Sequence, residues 1–398
     1  MLRPLHILLA TLMLCACNSH AAPTPKDGTA EPSREVIVGA QDTASYMPIL
    51  RDRRVAVLAN HTAMYDTERH IVDVMHAEGI NIVGIFAPEH GFRGAVEAGA
   101  KIEDGTDSKT GIAILSLYNG NTQRPSDDVM RSFDVLVVDM QDVGLRFYTY
   151  YISMLRMVDA CADFGCEVVV LDRPNPNGHY VDGPILDMKY KSGVGWLPIP
   201  VVHGMTMGEI ATMAIGEGWA KPAKLTVVKC QNYDHTTHYE LPIAPSPNLP
   251  TQHSIYLYPT TCLFEGTVLS MGRGTEAPFE VYGHPDLKGY DYTFTPAPNA
   301  GSAKPPHMGK LCYGRDLRNL PNEEIWGNGI DLSYIIEAYH NLGIEEKFFT
   351  PMFEKLIGVG YVREMIMAGC SAEEIEARWA EDVEKFKEQR RKYLIYNE

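Results

Sequence analysis

Six short apolar runs, each too brief to be a helix and too uniformly apolar to have a wet face, constrain this chain more than any other feature. They are "VAVLAN" (55–60), "NIVGIFAP" (81–88), "IAILSLY" (112–118), "DVLVVDMQ" (134–141), "EVVVLDR" (167–173) and "LPIPVV" (197–202). Runs of this length rich in Val, Ile and Leu are the pattern of strands buried on both faces. Helical patterns separate several of them, at 67–79 and at 147–165, where Tyr148, Tyr151, Ile152, Leu155, Val158 and Ala162 fall along one face. Strands alternating with helices predict a parallel α/β sheet covered on both sides.

The expected fold class is therefore α/β, with a Rossmann-like parallel sheet domain over 36–240. Four prolines in "LPIAPSPNLP" (241–250) interrupt the alternation and set the boundary of a smaller, mixed α+β C-terminal auxiliary domain over 241–398. In that part Ser371 and Glu374 spell a capping box, and Ile375, Trp379, Val383 and Phe386 a buried stripe. "EQRRK" (388–392) suits the C-terminus of that helix electrostatically and reads as structure, not as a nucleic-acid patch.

The N-terminus reads differently. "MLRPLHILLATLMLCAC" combines Arg3, an apolar stretch from Ile7 to Leu14 and a terminal Cys17, which resembles a bacterial lipoprotein signal over 1–17. Cys17 is then the lipidated residue, and the Pro-, Ala- and Ser-rich segment 18–35 a flexible tether. Cleavage after "SHAA" is the other expectation and would leave a soluble secreted protein. No later run reaches the roughly 18 apolar residues a bilayer span needs, so the expected protein is exported and anchored by lipid only, facing the periplasm or cell surface. A formal net charge of -16 argues against nucleic acid as a partner, because phosphate backbones call for a basic face. The six cysteines of the body are scattered without a CxxC; most read as buried thiols, with one disulfide pair among them left open.

Ligands of open α/β sheets bind beyond the carboxyl ends of the strands, and those ends carry the ionisable residues. Asn60 and His61 follow the first run; Glu89, His90 and Arg93 the second; Asp139, Gln141, Asp142, Arg146, Tyr148 and Tyr150 the fourth; Asp172, Arg173, Asn175 and Asn177 the fifth; His203 the sixth. Neither G-x-G-x-x-G nor G-x-x-x-x-G-K-[ST] follows a strand, so no nucleotide cofactor is expected. "DHTTH" places His235 and His238 near Asp234 without a third ligand, so no metal is expected either. "VLSMG" around Ser270 departs from the G-x-S-x-G elbow at Val268. Carboxylate, tyrosine and arginine chemistry without a cofactor suits glycoside hydrolysis, in which a protonated carboxyl group meets the leaving oxygen. Glu89 is the candidate acid, with Ile85, Phe86 and Phe92 as apolar neighbours able to raise its pKa.

Taken together, "APEHGFRG", "DMQDVGLRFYTYY", "LDRPNPNGHYVDGP", "VVHGMTMGEIA", "SPNLPT" and "YPTTCLFEGTVLSMGRGTEAPFE" closely resemble the NamZ family of exo-β-N-acetylmuramidases, from about residue 50 to the C-terminus. The resemblance implies a Rossmann-like domain with an auxiliary domain and a cleft between them. It implies release of N-acetylmuramic acid from the non-reducing end of peptidoglycan fragments, at the β-1,4 bond to N-acetylglucosamine. It makes Glu89 the leading catalytic residue, with Tyr148 or Tyr150 as its partner. The 2-acetamido group is then an internal nucleophile oriented by Tyr148 or Asp142; a two-carboxylate mechanism would use Asp142, Glu265 or Glu280. Arg93, Arg146, Arg173 and Arg273 are the candidates for holding the lactyl carboxylate of the sugar, and Asp172, Asn175, His90 and His203 for shaping its site. Two other readings stand beside this one: a lipid-anchored glycan-binding protein without catalysis, and a cell-wall sugar esterase using Ser270.

Overall fold

The structure is a computed structural model that describes residues 35–88, 92–93, 105–115, 117 and 124–398. Glu89, His90 and Cys17 lie outside the described residues, as do the signal and all of the tether but Glu35. Val36–Glu398 form one compact unit.

In chain order the first half runs α1 (Thr43–Leu50), β1 (Val55–Ala59), α2 (Ile71–Ala77), β2 (Ile82–Phe86), β3 (Gly105–Thr106), β4 (Ala113–Leu115), α3 (Asp127–Met130), β5 (Val135–Asp139), α4 (Tyr150–Phe164), β6 (Glu167–Leu171), α5 (Met207–Gly216) and β7 (Leu225–Val228). The described strands form one sheet in the order β3-β4-β2-β1-β5-β6-β7. Every pairing is parallel except β3 with β4. All five residues of β1, β5 and β6 are buried, because side chains alternate between two apolar layers. Ala56, Leu58, Leu136, Val138, Val168 and Val170 join one core. Val55, Val57, Ala59, Val135, Val137, Val169 and Leu171 join the other.

One expected strand is not in the sheet. Residues 197–202 join no ladder, and Val202 forms only isolated bridges to Leu145 and Asp182. Pro198 and Pro200 remove the N–H groups that a ladder needs. The sheet is instead extended beyond β6 by β7, which is mostly half-buried.

The helices expected at 67–79 and 147–165 are present with shifted ends, whereas the single last helix expected from Ser371 onward is broken into Ala372–Glu376 and Ala380–Arg390. The imidazole of His70 accepts the Val72 N–H (3.2 Å) and starts α2. Gly165, at φ 71°, terminates α4 in the left-handed conformation that glycine adopts cheaply. Phe147 to Thr149 precede α4, so Tyr148 sits on a turn and not on the helix.

The second half opens with α6 (Gln252–Thr261) and a 3-10 turn, Cys262–Gly266, and then a three-stranded antiparallel sheet of β8 (Val281–His284), β9 (Tyr292–Phe294) and β10 (Cys312–Asp316) in the order β8-β10-β9. Short helices follow: α7 (Asn322–Ile325), α8 (Ser333–Leu342), α9 (Met352–Ile357), α10 (Tyr361–Met367), α11 (Ala372–Glu376) and α12 (Ala380–Arg390). The Ser371–Glu374 capping box starts α11. Ile375, Trp379, Val383 and Phe386 are buried in the core that also contains one face of the large sheet, which makes the two halves share apolar packing. All six body cysteines are free thiols, and only Cys370 is more than slightly exposed. Among the described residues no helix is long and apolar enough to cross a membrane.

Candidate active site

The carboxyl ends of β1, β5 and β6 are stitched to one another by short polar bonds. Asn60 accepts the Thr62 hydroxyl (2.6 Å), Thr62 accepts the Gln141 N–H (2.9 Å), and the Gln141 amide donates to the carbonyls of Asp142 (2.8 Å) and Pro174 (2.7 Å). Asp142 is the next residue along the chain. Its Oδ1 accepts the Gly144 N–H at 2.8 Å, and its Oδ2 is buried with no hydrogen-bond partner among the described residues. Burial pushes the Asp142 carboxyl up to about 7, against the opposing pull of nearby backbone N–H groups. The chain then turns sharply at Gly144 (φ 79°) with the Asn175 amide packed where a Cβ would lie, so only glycine fits.

That turn delivers the tyrosines. Tyr148 and Tyr150 stand edge to face, centroids 4.7 Å apart. Both hydroxyls donate to the Pro245 carbonyl, at 2.9 and 3.1 Å. The preceding carbonyl, Ala244, lies 2.9 Å from His61 Nε2. The proline-rich segment between the two halves is thereby bound to the strand ends of the first. Burial raises the Tyr148 hydroxyl well above the ordinary tyrosine value and keeps it protonated.

From Tyr148 a chain of rings leads into the second half. Tyr258 of α6 meets Tyr148 (6.3 Å) and Phe147 (5.4 Å), Phe279 meets Tyr258 (4.8 Å), and the Arg273 guanidinium lies 5.0 Å from the Phe279 ring centre. Arg273 grips Glu265 Oε1 through Nε (2.8 Å) and Nη2 (2.6 Å). Asp142, Tyr148, Tyr150, Glu265 and Arg273 are thus gathered along one neighbourhood.

The other expected site residues have internal commitments. Arg146 is fully buried and donates to the carbonyls of Pro184, Ile199, Leu356 and Ile357 at 2.7 to 2.9 Å. Its Nη1 and Nη2 donors, so engaged, are not presented to a ligand carboxylate. Burial pulls its pKa down to about 10. Arg173 pairs with buried Asp139 at 2.5 and 3.0 Å. Arg93 spans Asp107 and Asp73, and its bonds to Asp107 are the main reason its charge is held so firmly. Asp172, raised by burial to about 6, accepts from Thr206 (2.6 Å), Gly208 (2.9 Å) and Tyr396 (2.8 Å). Asn175 ties Met205 to Asn177. His203 accepts the Met205 N–H through Nδ1, and burial drives its pKa down to about 3. Glu280 accepts the Thr251 hydroxyl and lines a separate groove of about 480 Å³ with His253, Arg318 and Asn322. These internal bonds have one common reason: buried charges and amides must be paired, and carboxylates, hydroxyls and backbone carbonyls remote in sequence are available to pair them.

Tyr258, Phe279 and Pro245 are site neighbours that sequence reasoning passed over; as an aromatic, an aromatic and a proline inside longer motifs they bear no local signal of it. Asp234, His235 and His238 go to separate partners: Asp234 to Thr236 and Thr237, His235 to Glu209, and His238 to Tyr256. Among the described residues no three metal-binding side chains converge. Ser270 is fully buried, and its Oγ accepts the Gly272 N–H (3.3 Å).

A parallel α/β sheet with acid and tyrosine groups at its strand ends, and an Arg–Glu pair from the second half beside them, has the layout of an α/β enzyme. Residues 55–253 match the N-terminal model, and residues 256–396 the C-terminal model, of exo-β-N-acetylmuramidase NamZ. The chain belongs to that family and is a glycoside hydrolase. Peptidoglycan β-N-acetylmuramidase NamZ of Bacillus subtilis (strain 168) is 35% identical over 417 aligned residues, covering both chains fully. Two crystal structures of DUF1343 family proteins from Bacteroides fragilis NCTC 9343 share the fold. One has a TM-score of 0.86 at 56% identity, covering 92% of this chain and 99% of its own. The other has a TM-score of 0.78 at 26% identity, covering 92% and 100%.

Proposed function

We propose that the enzyme removes N-acetylmuramic acid from the non-reducing end of peptidoglycan fragments, cleaving the β-1,4 bond to N-acetylglucosamine. The observation that carries this reading is the gathering of Asp142, Tyr148, Tyr150 and the Arg273–Glu265 pair beside the strand ends, in a chain of this family. Glu89, three residues beyond β2, is the general acid on the glycosidic oxygen. A carboxyl group that burial holds about half protonated near neutrality is a weakened nucleophile. Asp142 therefore suits orientation of the 2-acetamido group, alongside Tyr148, and the acetamido oxygen attacks the anomeric carbon.

Of the four candidate arginines, Arg273 alone combines partial exposure of its side chain, 19%, with an Nη1 that makes no hydrogen bond among the described residues. It holds the lactyl carboxylate that distinguishes muramic acid from N-acetylglucosamine. We also assign a working boundary between catalytic and auxiliary parts to 241–250, and membrane attachment through Cys17 on the periplasmic or cell-surface side.

The test is release of N-acetylmuramic acid from MurNAc-GlcNAc by the protein lacking residues 1–17. Wild-type turnover, its loss in Glu89→Gln, and no turnover of the analogue lacking the lactyl group are expected. Binding of the disaccharide without release by a folded wild-type protein would replace this reading with that of a lectin.

A further inference from the structure

Phe279 is a large, fully buried aromatic residue at φ 62°. Left-handed backbone is costly for a bulky side chain, and glycine is the residue that avoids the cost. The same loop uses glycine where it needs that conformation, at Gly272 (φ 80°) and Gly274 (φ 78°). At position 279 it carries a ring instead. Strain of this kind persists where the surroundings over-determine it, and it collects at functional sites.

The surroundings here are specific. The Phe279 N–H closes the loop by donating to the Met271 carbonyl at 2.7 Å, and Ser270 pairs with Gly283 just outside. The left-handed turn folds the ring back inside the loop that bears Arg273. Its edge-to-face partner is Tyr258, 4.8 Å away at 84°, which itself rests on Phe147 and Tyr148. Its other partner is the Arg273 guanidinium, 5.0 Å from the ring centre, while Glu265 holds Nε and Nη2. Ring and carboxylate together fix the guanidinium in position and direction and leave Nη1 unclaimed.

We propose that Phe279 is a positioning residue that presents Arg273 to the carboxylate of the substrate sugar, with its left-handed backbone retained for that purpose. This deepens the reading of Arg273 given above and rests on it. Removing the ring while keeping most of the volume leaves the Arg273–Glu265 pair in place but frees the guanidinium to move out of register.

The experiment measures KM and kcat on MurNAc-GlcNAc for Phe279→Leu, Phe279→Met, Phe279→Tyr and Arg273→Gln, with thermal unfolding alongside. The ringless variants should raise KM about tenfold, the scale of one partly buried cation–π contact, with kcat within about twofold. Phe279→Tyr retains the ring face and should restore KM. A residue that only packs would lower the active fraction, and hence apparent kcat, without moving KM. A wild-type KM in whichever ringless variant folds, while Arg273→Gln raises KM, would overturn this inference and leave the Arg273 assignment standing. An unchanged KM in Arg273→Gln would remove that assignment itself and the inference with it.

Discussion

Replacing Asp142 by Asn removes an ionisable group from a buried position where one carboxyl oxygen has no hydrogen-bond partner among the described residues. Burial lifts the Asp142 carboxyl from an ordinary 3.8 to about 7. Below the ordinary value the group is protonated in folded and unfolded chains alike and contributes nothing to a pH dependence. Between the two values the folded chain binds more protons than the unfolded one, so stability falls as pH rises; above about 7 the full cost is present. A shift of about three units at 1.36 kcal/mol each corresponds to roughly 4 kcal/mol as an upper figure. Asn keeps the Oδ1 acceptor for Gly144 but places an unpaired amide where Oδ2 was, a cost of about 1–3 kcal/mol that does not change with pH. The diagnostic quantity is therefore the difference between the two proteins as a function of pH, not its sign at one pH. Urea unfolding of wild type and Asp142→Asn from about pH 4 to pH 8 should show the variant gaining about 2–4 kcal/mol relative to wild type across that range. Asp172 titrates in the same window but is present in both proteins and cancels. Parallel stability curves would refute the reasoning and mean that Asp142 is ionised or solvated in the folded protein.

Two further outcomes follow from the same bonds. Arg146→Met should cost about 3–5 kcal/mol in chemical denaturation, because four buried carbonyls lose their donor at once; a loss below about 1 kcal/mol would mean that water replaces the guanidinium. Tyr148→Phe and Tyr150→Phe each leave the Pro245 carbonyl with one remaining hydroxyl, so each should cost about 1 kcal/mol or less. The double variant leaves it with none, and a double-mutant cycle should show about 1 kcal/mol or more of extra loss, whereas additive stabilities would contradict the shared acceptor.

The strands at 55–59, 135–139 and 167–171 were legible because a strand buried on both faces must be largely apolar, and that is a local property; the strand at 82–86, whose first two residues are half-buried, is as apolar in sequence. Leu225–Val228 escaped because a half-buried edge strand of four residues has no such signature, and the apolar run at 197–202 misled because its prolines forbid the ladder that its hydrophobicity suggests. The strand ends announced where polar chemistry collects, and the succession of motifs announced the family. What each polar group does there was not local. Arg146 and Arg273 look equivalent as letters in a chain, yet Arg146 answers carbonyls at Leu356 and Ile357, about two hundred residues away, while Arg273 keeps a donor free. Amino-acid order alone determined the α/β class, the family and the shortlist of ionisable residues, since these depend on periodicity and residue type. Only the tertiary structure decided which partners each of them meets inside the fold and which of them lie near the tyrosines, because that depends on groups the chain brings together from far apart.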